Sequence, residues 1–152
     1  MLPLAVPAQA QIVAIGASNT AGKGVAASEA FPAQLEAMLR AKGRKIQVTN
    51  AGISGDTTAG MLARLSRDVP AGTKIVILQF GGNDFRRGRT GADHEANIAA
   101  IRSQLRARGI GVVEADGFVR TALRAGMIQA DGQHLTVEGH RHVAAALLRS
   151  IR

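Results

Sequence analysis

Two kinds of segment alternate along the chain. Short unbroken apolar runs end in glycine or small polar residues, and longer stretches repeat apolar residues every three or four positions. Ile12-Val13-Ala14-Ile15 and Ile75-Val76-Ile77-Leu78 are of the first kind and predict strands buried on both faces, and a further strand is expected at 110–114. A weaker strand is expected at 45–50, with Ile46 and Val48 on one face. The helical period appears in Phe31, Leu35, Met38 and Leu39, with Pro32 in the first turn and Gly43 as the stop. It recurs in Met61, Leu62 and Leu65 behind a Thr57 or Thr58 cap, and in Ile98, Ile101 and Leu105 between an Asp93 cap and Gly109. A short helix at 118–125 and an amphipathic one from Thr136 through Val143, Leu147 and Ile151 complete the set.

Strands alternating with helices imply crossover connections and a parallel sheet covered by helices on both faces. Parallel strands bring their C-terminal ends to one edge, where ligands of open α/β sheets bind. The segments leaving the strands carry Ser18, Gly55 and Asn83, and a later loop carries Asp131 and His134. These groups can therefore meet. The loop at 21–24 after Ser18 is rich in glycine.

A chain of 152 residues fits one domain, expected over 11–152. Residues 1–10 differ in kind: apolar, uncharged and ending Ala8-Gln9-Ala10, they read either as the remnant of a secretory signal or as a lead-in. The first reading implies a periplasmic or secreted protein, the second a cytoplasmic one. No apolar run approaches the roughly 20 residues of a membrane span. The absence of cysteine excludes disulfides, thiolate metal sites and a cysteine nucleophile.

The net charge is +8, and 15 of the 19 basic residues are arginines. They are spread along the chain, with only Arg86, Arg87 and Arg89 clustered, and aromatic platforms are scarce. That favours a solvated basic surface over a nucleic-acid footprint. The glycines around Lys23 do not make a phosphate-binding loop: five residues separate Gly16 from Gly22, and a glycine follows the lysine.

Acyl transfer needs a nucleophile, a base, a group that orients the base, and donors for the oxyanion. Ser18 can supply the hydroxyl. His134 sits in a loop beside a helix start, and Asp131, three residues earlier, can accept from its Nδ1–H. The Ser18 N–H, the Gly55 N–H and the Asn83 side-chain amide are the candidate oxyanion donors. His94, His140 and His142 form no ligand set with nearby carboxylates, so no metal and no cofactor are expected.

Four blocks carry a family resemblance: 15–20 (IGASNT), 50–58 (NAGISGDTT), 81–84 (GGND) and 131–135 (DGQHL). In this order they resemble the SGNH hydrolases, also called GDSL esterases and lipases, and in particular the small bacterial thioesterase, lysophospholipase and arylesterase branch. The resemblance implies a flavodoxin-like three-layer α/β/α sandwich and metal-free hydrolysis of acyl esters or thioesters. It places Ser18, Asp131 and His134 in a triad, and Ser18, Gly55 and Asn83 at the oxyanion hole. Two positions depart from the family. Its aspartate before the serine, a loop organiser, is Ala17 here. The stretch from Asn83 to Asp131 is also short, where the family carries a further strand and a substrate-covering segment. A minimal sheet of about four strands with an open cleft is therefore expected, acting on small acyl or aryl esters. Carbohydrate O-deacetylation is the alternative, and a non-catalytic binding domain a more remote one.

Overall fold

The computed structural model describes residues 11–151, so the expectation for residues 1–10 lies outside the described residues. In chain order the elements are β1 (Ile12–Gly16), α1 (Ser18–Ala21), α2 (Phe31–Ala41), β2 (Val48–Gly52), α3 (Thr58–Asp68), β3 (Ile75–Gln79), α4 (Asn83–Arg86), α5 (Gly91–Ala107), β4 (Gly111–Glu114), α6 (Asp116–Arg124) and α7 (Val137–Ser150). The strands form a four-stranded parallel sheet in the order β2-β1-β3-β4.

Successive strand side chains point to opposite faces, and two apolar cores result. Ile12, Ala14 and Ile77 pack with Phe31, Leu35, Leu39, Val143 and Leu147 of α2 and α7. Val13, Ile15, Val76 and Leu78 pack with Met61, Leu65, Ile98, Ile101 and Leu105 of α3 and α5. This is the expected three-layer α/β/α arrangement. Each fully buried Leu, Ile or Phe contributes about 1.5–3 kcal/mol from removal of apolar surface from water.

Several local expectations need correction. The second strand starts later than 45–50 and takes in Asn50, Ala51 and Gly52. Its register is set by β1, which pairs Ile12 with Val48 and Gly16 with Gly52. Helix α5 is capped by Thr90, whose side chain accepts from the Asp93 N–H, and Asp93 sits in the first turn. The chain after Ser18 makes a helical turn before the glycines, and Gly22 at φ 86° ends it. Arg64 is not part of the solvated basic surface that the spread of arginines suggested. It is buried, with Nε on Asp56 at 2.8 Å and Nη1 on both the Ala51 carbonyl (2.7 Å) and Asp68 (2.8 Å). Its Nη2 reaches the Gly16 carbonyl at 3.2 Å. One guanidinium, with five donors in a planar fork, thereby ties together the C-terminal ends of β1 and β2.

Candidate active site

β1 delivers Ser18 to the C-terminal edge through a tight exit. A Cβ on Gly16 would lie 2.1 Å from Thr20 Oγ1 and 2.9 Å from the Gln79 carbonyl, so only glycine fits there. Ser18 then opens α1, where the first backbone N–H groups have no intrahelical partner. The side chain at position 17 contributes no polar atom to this turn. The organising group comes from β3: Gln79 Oε1 accepts from the Ala17 N–H at 3.1 Å and from the Thr20 hydroxyl at 2.9 Å.

His134 reaches Ser18 from the loop between α6 and α7. Its Nε2 lies 2.9 Å from Ser18 Oγ, and its Nδ1 lies 2.5 Å from Asp131 Oδ2. The other Asp131 oxygen accepts the N–H groups of Gln133 (2.9 Å) and His134 (3.1 Å), closing the tight turn that aims the carboxylate back at the ring. The bond to His134, helped by these N–H donors, pulls the Asp131 carboxyl down to about 2. An ionised carboxylate only accepts, so Nδ1 carries the proton and the Nε2 lone pair faces the hydroxyl. Asn19 holds the two loops together: its Oδ1 accepts from the Leu135 N–H at 2.9 Å and its Nδ2 donates to the Gln133 carbonyl at 3.4 Å.

Asn83 stands at the start of α4, after β3. Its Nδ2 donates to the Asp56 carbonyl at 2.9 Å and its Oδ1 accepts from Arg86 Nη1 at 3.3 Å, leaving one amide hydrogen unused. Ser18, Asn83 and His134 line one cleft of about 300 Å³, together with Gln79, Val119 and Leu123. Gly55 does not line that cleft. It lies in the neighbouring concavity with Ile53 and Arg87, at φ 83°, and its carbonyl accepts from Arg87 Nη2 at 3.0 Å. Among the described residues, neither its N–H nor that of Ser18 has an acceptor.

Supporting groups complete the edge. Asp84 is buried and accepts from the Thr58 N–H at 2.8 Å, from the Thr58 hydroxyl, and from His94 Nδ1 at 2.9 Å. Asp116, at the exit of β4, accepts the N–H groups of Phe80 (2.8 Å) and Gly81 (3.0 Å) and so shapes the turn that carries Asn83. The sequence reading passed over Gln79, Asp116 and the role of Arg64. Asp116 carried a usable signal, a polar residue directly after a strand. Among the described residues, no cluster of three or more His, Asp or Glu side chains is placed to hold a metal ion.

Comparison with known proteins follows the same lines. The model of the GDSL-like Lipase/Acylhydrolase family matches residues 14–150. Esterase TesA of Pseudomonas aeruginosa is 37% identical over 106 residues, 67% of this chain and 51% of that protein. An arylesterase of Vibrio mimicus is 31% identical over 113 residues, 74% of this chain and 56% of that protein. The chain spans about half the length of the curated relatives it matches. A crystal structure of TesA superimposes with a TM-score of 0.77 at 28% identity, covering 93% of this chain and 97% of that one. The chain is a member of the GDSL-like lipase/acylhydrolase family.

Proposed function

We propose that the protein hydrolyses small acyl or aryl esters, and thioesters of similar size, through an acyl-enzyme on Ser18. The observation that carries this reading is the run of contacts from Ser18 Oγ to His134 Nε2 (2.9 Å) and from His134 Nδ1 to Asp131 (2.5 Å). Ser18 Oγ attacks the ester carbonyl carbon as His134 Nε2 takes its proton. Asp131 holds the ring and stabilises the imidazolium. The carbonyl oxygen, now an anion, is met by the Ser18 N–H and the free Asn83 amide hydrogen, and the unpartnered Gly55 N–H in the adjoining concavity is the third donor only if the loop turns it towards the cleft. The intermediate collapses when Nε2 returns the proton to the departing alcohol or thiol. Water repeats the sequence on the acyl-enzyme, and the acid leaves.

Cleft size and lining favour small substrates. A volume of about 300 Å³ is at the lower end for ligand pockets, and its apolar wall is short, formed by Val119 and Leu123 of α6. Carbohydrate esters are less well served. Phe80 is buried in the core and Phe85 packs on His94 at 4.9 Å, so neither aromatic lines the cleft. A periplasmic or secreted location goes with reading residues 1–10 as a signal remnant. Among the described residues, no helix is long and apolar enough to cross a membrane.

The test is hydrolysis of p-nitrophenyl acetate, butyrate and hexadecanoate by the wild type and Ser18→Ala. The short esters should be cleaved with kcat/KM at least about tenfold above the long one, and Ser18→Ala should lose at least about 10³-fold. Full activity in Ser18→Ala would remove the reading.

A further inference from the structure

Two arginines with no carboxylate partner face the cleft that holds Ser18. Arg86 on α4 and Arg120 on α6 both line it. The ion pairs among the described residues involve Arg64, Arg67, Arg102, His94 and His134, and neither cleft arginine. Arg86 spends one donor on Asn83 Oδ1, and the Arg120 guanidinium makes no hydrogen bond to the described residues. Asp116, four residues before Arg120, also lines the cleft but forms no ion pair with either arginine, and its two oxygens accept the Phe80 and Gly81 N–H groups.

A third donor lies deeper. Gln79 is 3% exposed and lines the same cleft. The Ala17 N–H can only donate, so the Gln79 atom facing it must be Oε1, and Nε2 points away from that contact. Nε2 finds no acceptor among the described residues, yet it is not among their fully enclosed unpartnered atoms. It is thus a mostly buried donor open to the cleft. In the free protein water serves these donors, and the acceptor groups of a bound ester can replace it.

We infer that the cleft selects esters bearing a carboxylate near the scissile carbonyl, held by Arg120 and Arg86 at the rim with Gln79 Nε2 as a neutral donor on the floor. The inference rests on the esterase reading and deepens it to a substrate class. Guanidinium groups bind carboxylates through charge-assisted, often bidentate bonds. The chain's net charge of +8 also draws anionic esters in, so the preference should weaken with salt.

Matched esters test it. Monomethyl succinate against methyl butyrate places the carboxylate on the acyl side; 3-carboxyphenyl butyrate against phenyl butyrate places it on the leaving group. In one pair the wild type should favour the anionic member by about tenfold or more in kcat/KM, as expected for one charge-assisted contact. Arg120→Gln should bring that ratio close to one, whereas Arg124→Gln, on the same helix outside the cleft, should leave it. A wild-type ratio near one in both pairs, or a ratio that survives Arg120→Gln, overturns the inference while leaving the hydrolase intact. If none of the esters is cleaved, the hydrolase reading itself fails. Binding to Ser18→Ala then decides the subsite separately. Monomethyl succinate should shift the Arg86 and Arg120 Nε–Hε resonances where methyl butyrate does not, and the absence of such shifts overturns the inference.

Discussion

Gln79 reaches from the end of β3 to accept the N–H of Ala17, the residue immediately before Ser18. The same oxygen accepts the Thr20 hydroxyl, so one buried amide holds both sides of the serine turn. The turn is organised from a neighbouring strand where the family uses an aspartate within the turn itself.

Gln79→Ala should therefore cost both stability and rate. Two buried donors lose their acceptor, which typically costs about 1–3 kcal/mol. In a chain of this size that lowers the melting temperature by roughly 2–12 °C. Because the turn carries the Ser18 hydroxyl, kcat should fall more than KM rises. Thermal melts and steady-state kinetics on p-nitrophenyl butyrate check both, and an unchanged melting temperature would contradict the buried-amide account.

Asp131→Asn tests the orienting role of the carboxylate. An amide can present its own N–H to Nδ1 and reverse the tautomer, leaving Nε2 protonated towards Ser18. The expected loss in kcat is about 10²–10⁴-fold with KM much less affected. Circular dichroism should show the fold retained. A loss below about threefold would mean that Asp131 only shapes the loop.

His140 makes stability depend on pH. It is fully buried, its Nδ1 accepts the Phe31 N–H at 3.1 Å, and its Nε2 has no partner among the described residues. Burial pushes its pKa down to about 4 from 6.5. The unfolded chain takes up this proton as pH falls through 6.5, while the native protein resists until about 4. Stability present above pH 6.5 is thus lost between these values, by about 2–3 kcal/mol. Asp131 acts lower, its contribution being lost as pH falls from 3.8 towards about 2. Urea titrations from pH 7.5 to 4.5 should show the decline, and His140→Asn, which keeps an acceptor for Phe31, should flatten it. An equal slope in the variant would assign the effect elsewhere.

The sequence made the sheet and Ser18 legible because both rest on local signals. Ile12 to Ile15 and Ile75 to Leu78 are apolar on both faces, and such runs end where the strand leaves the core. β2 was displaced because it is a half-exposed edge strand whose register is set by β1, a partner far along the chain. Thr90 was missed as a cap because Asp93, three residues on, satisfies the same composition rule. Gln79 could not be found from its surroundings in sequence, since Ala17 lies 62 residues away, and the link Arg64 makes to β1 joins residues 48 apart although Asp56 and Asp68 are close by. Asp116 was within reach: the strand-exit rule that picked out Ser18 and Asn83 applies equally to β4. Gly55 was singled out as an oxyanion donor; its φ of 83°, Arg87 on its carbonyl and its place beside the cleft are tertiary facts.

The most direct measurement of the central claim is covalent. A fluorophosphonate ester reacts with a serine only when a neighbouring base activates it and an oxyanion site receives the phosphoryl oxygen. Peptide mass spectrometry of the labelled protein should find one adduct, on Ser18, formed quickly in the wild type and at least about 10²-fold more slowly in His134→Ala. A protein left unlabelled, or labelled at another residue with Ser18 free, would contradict it.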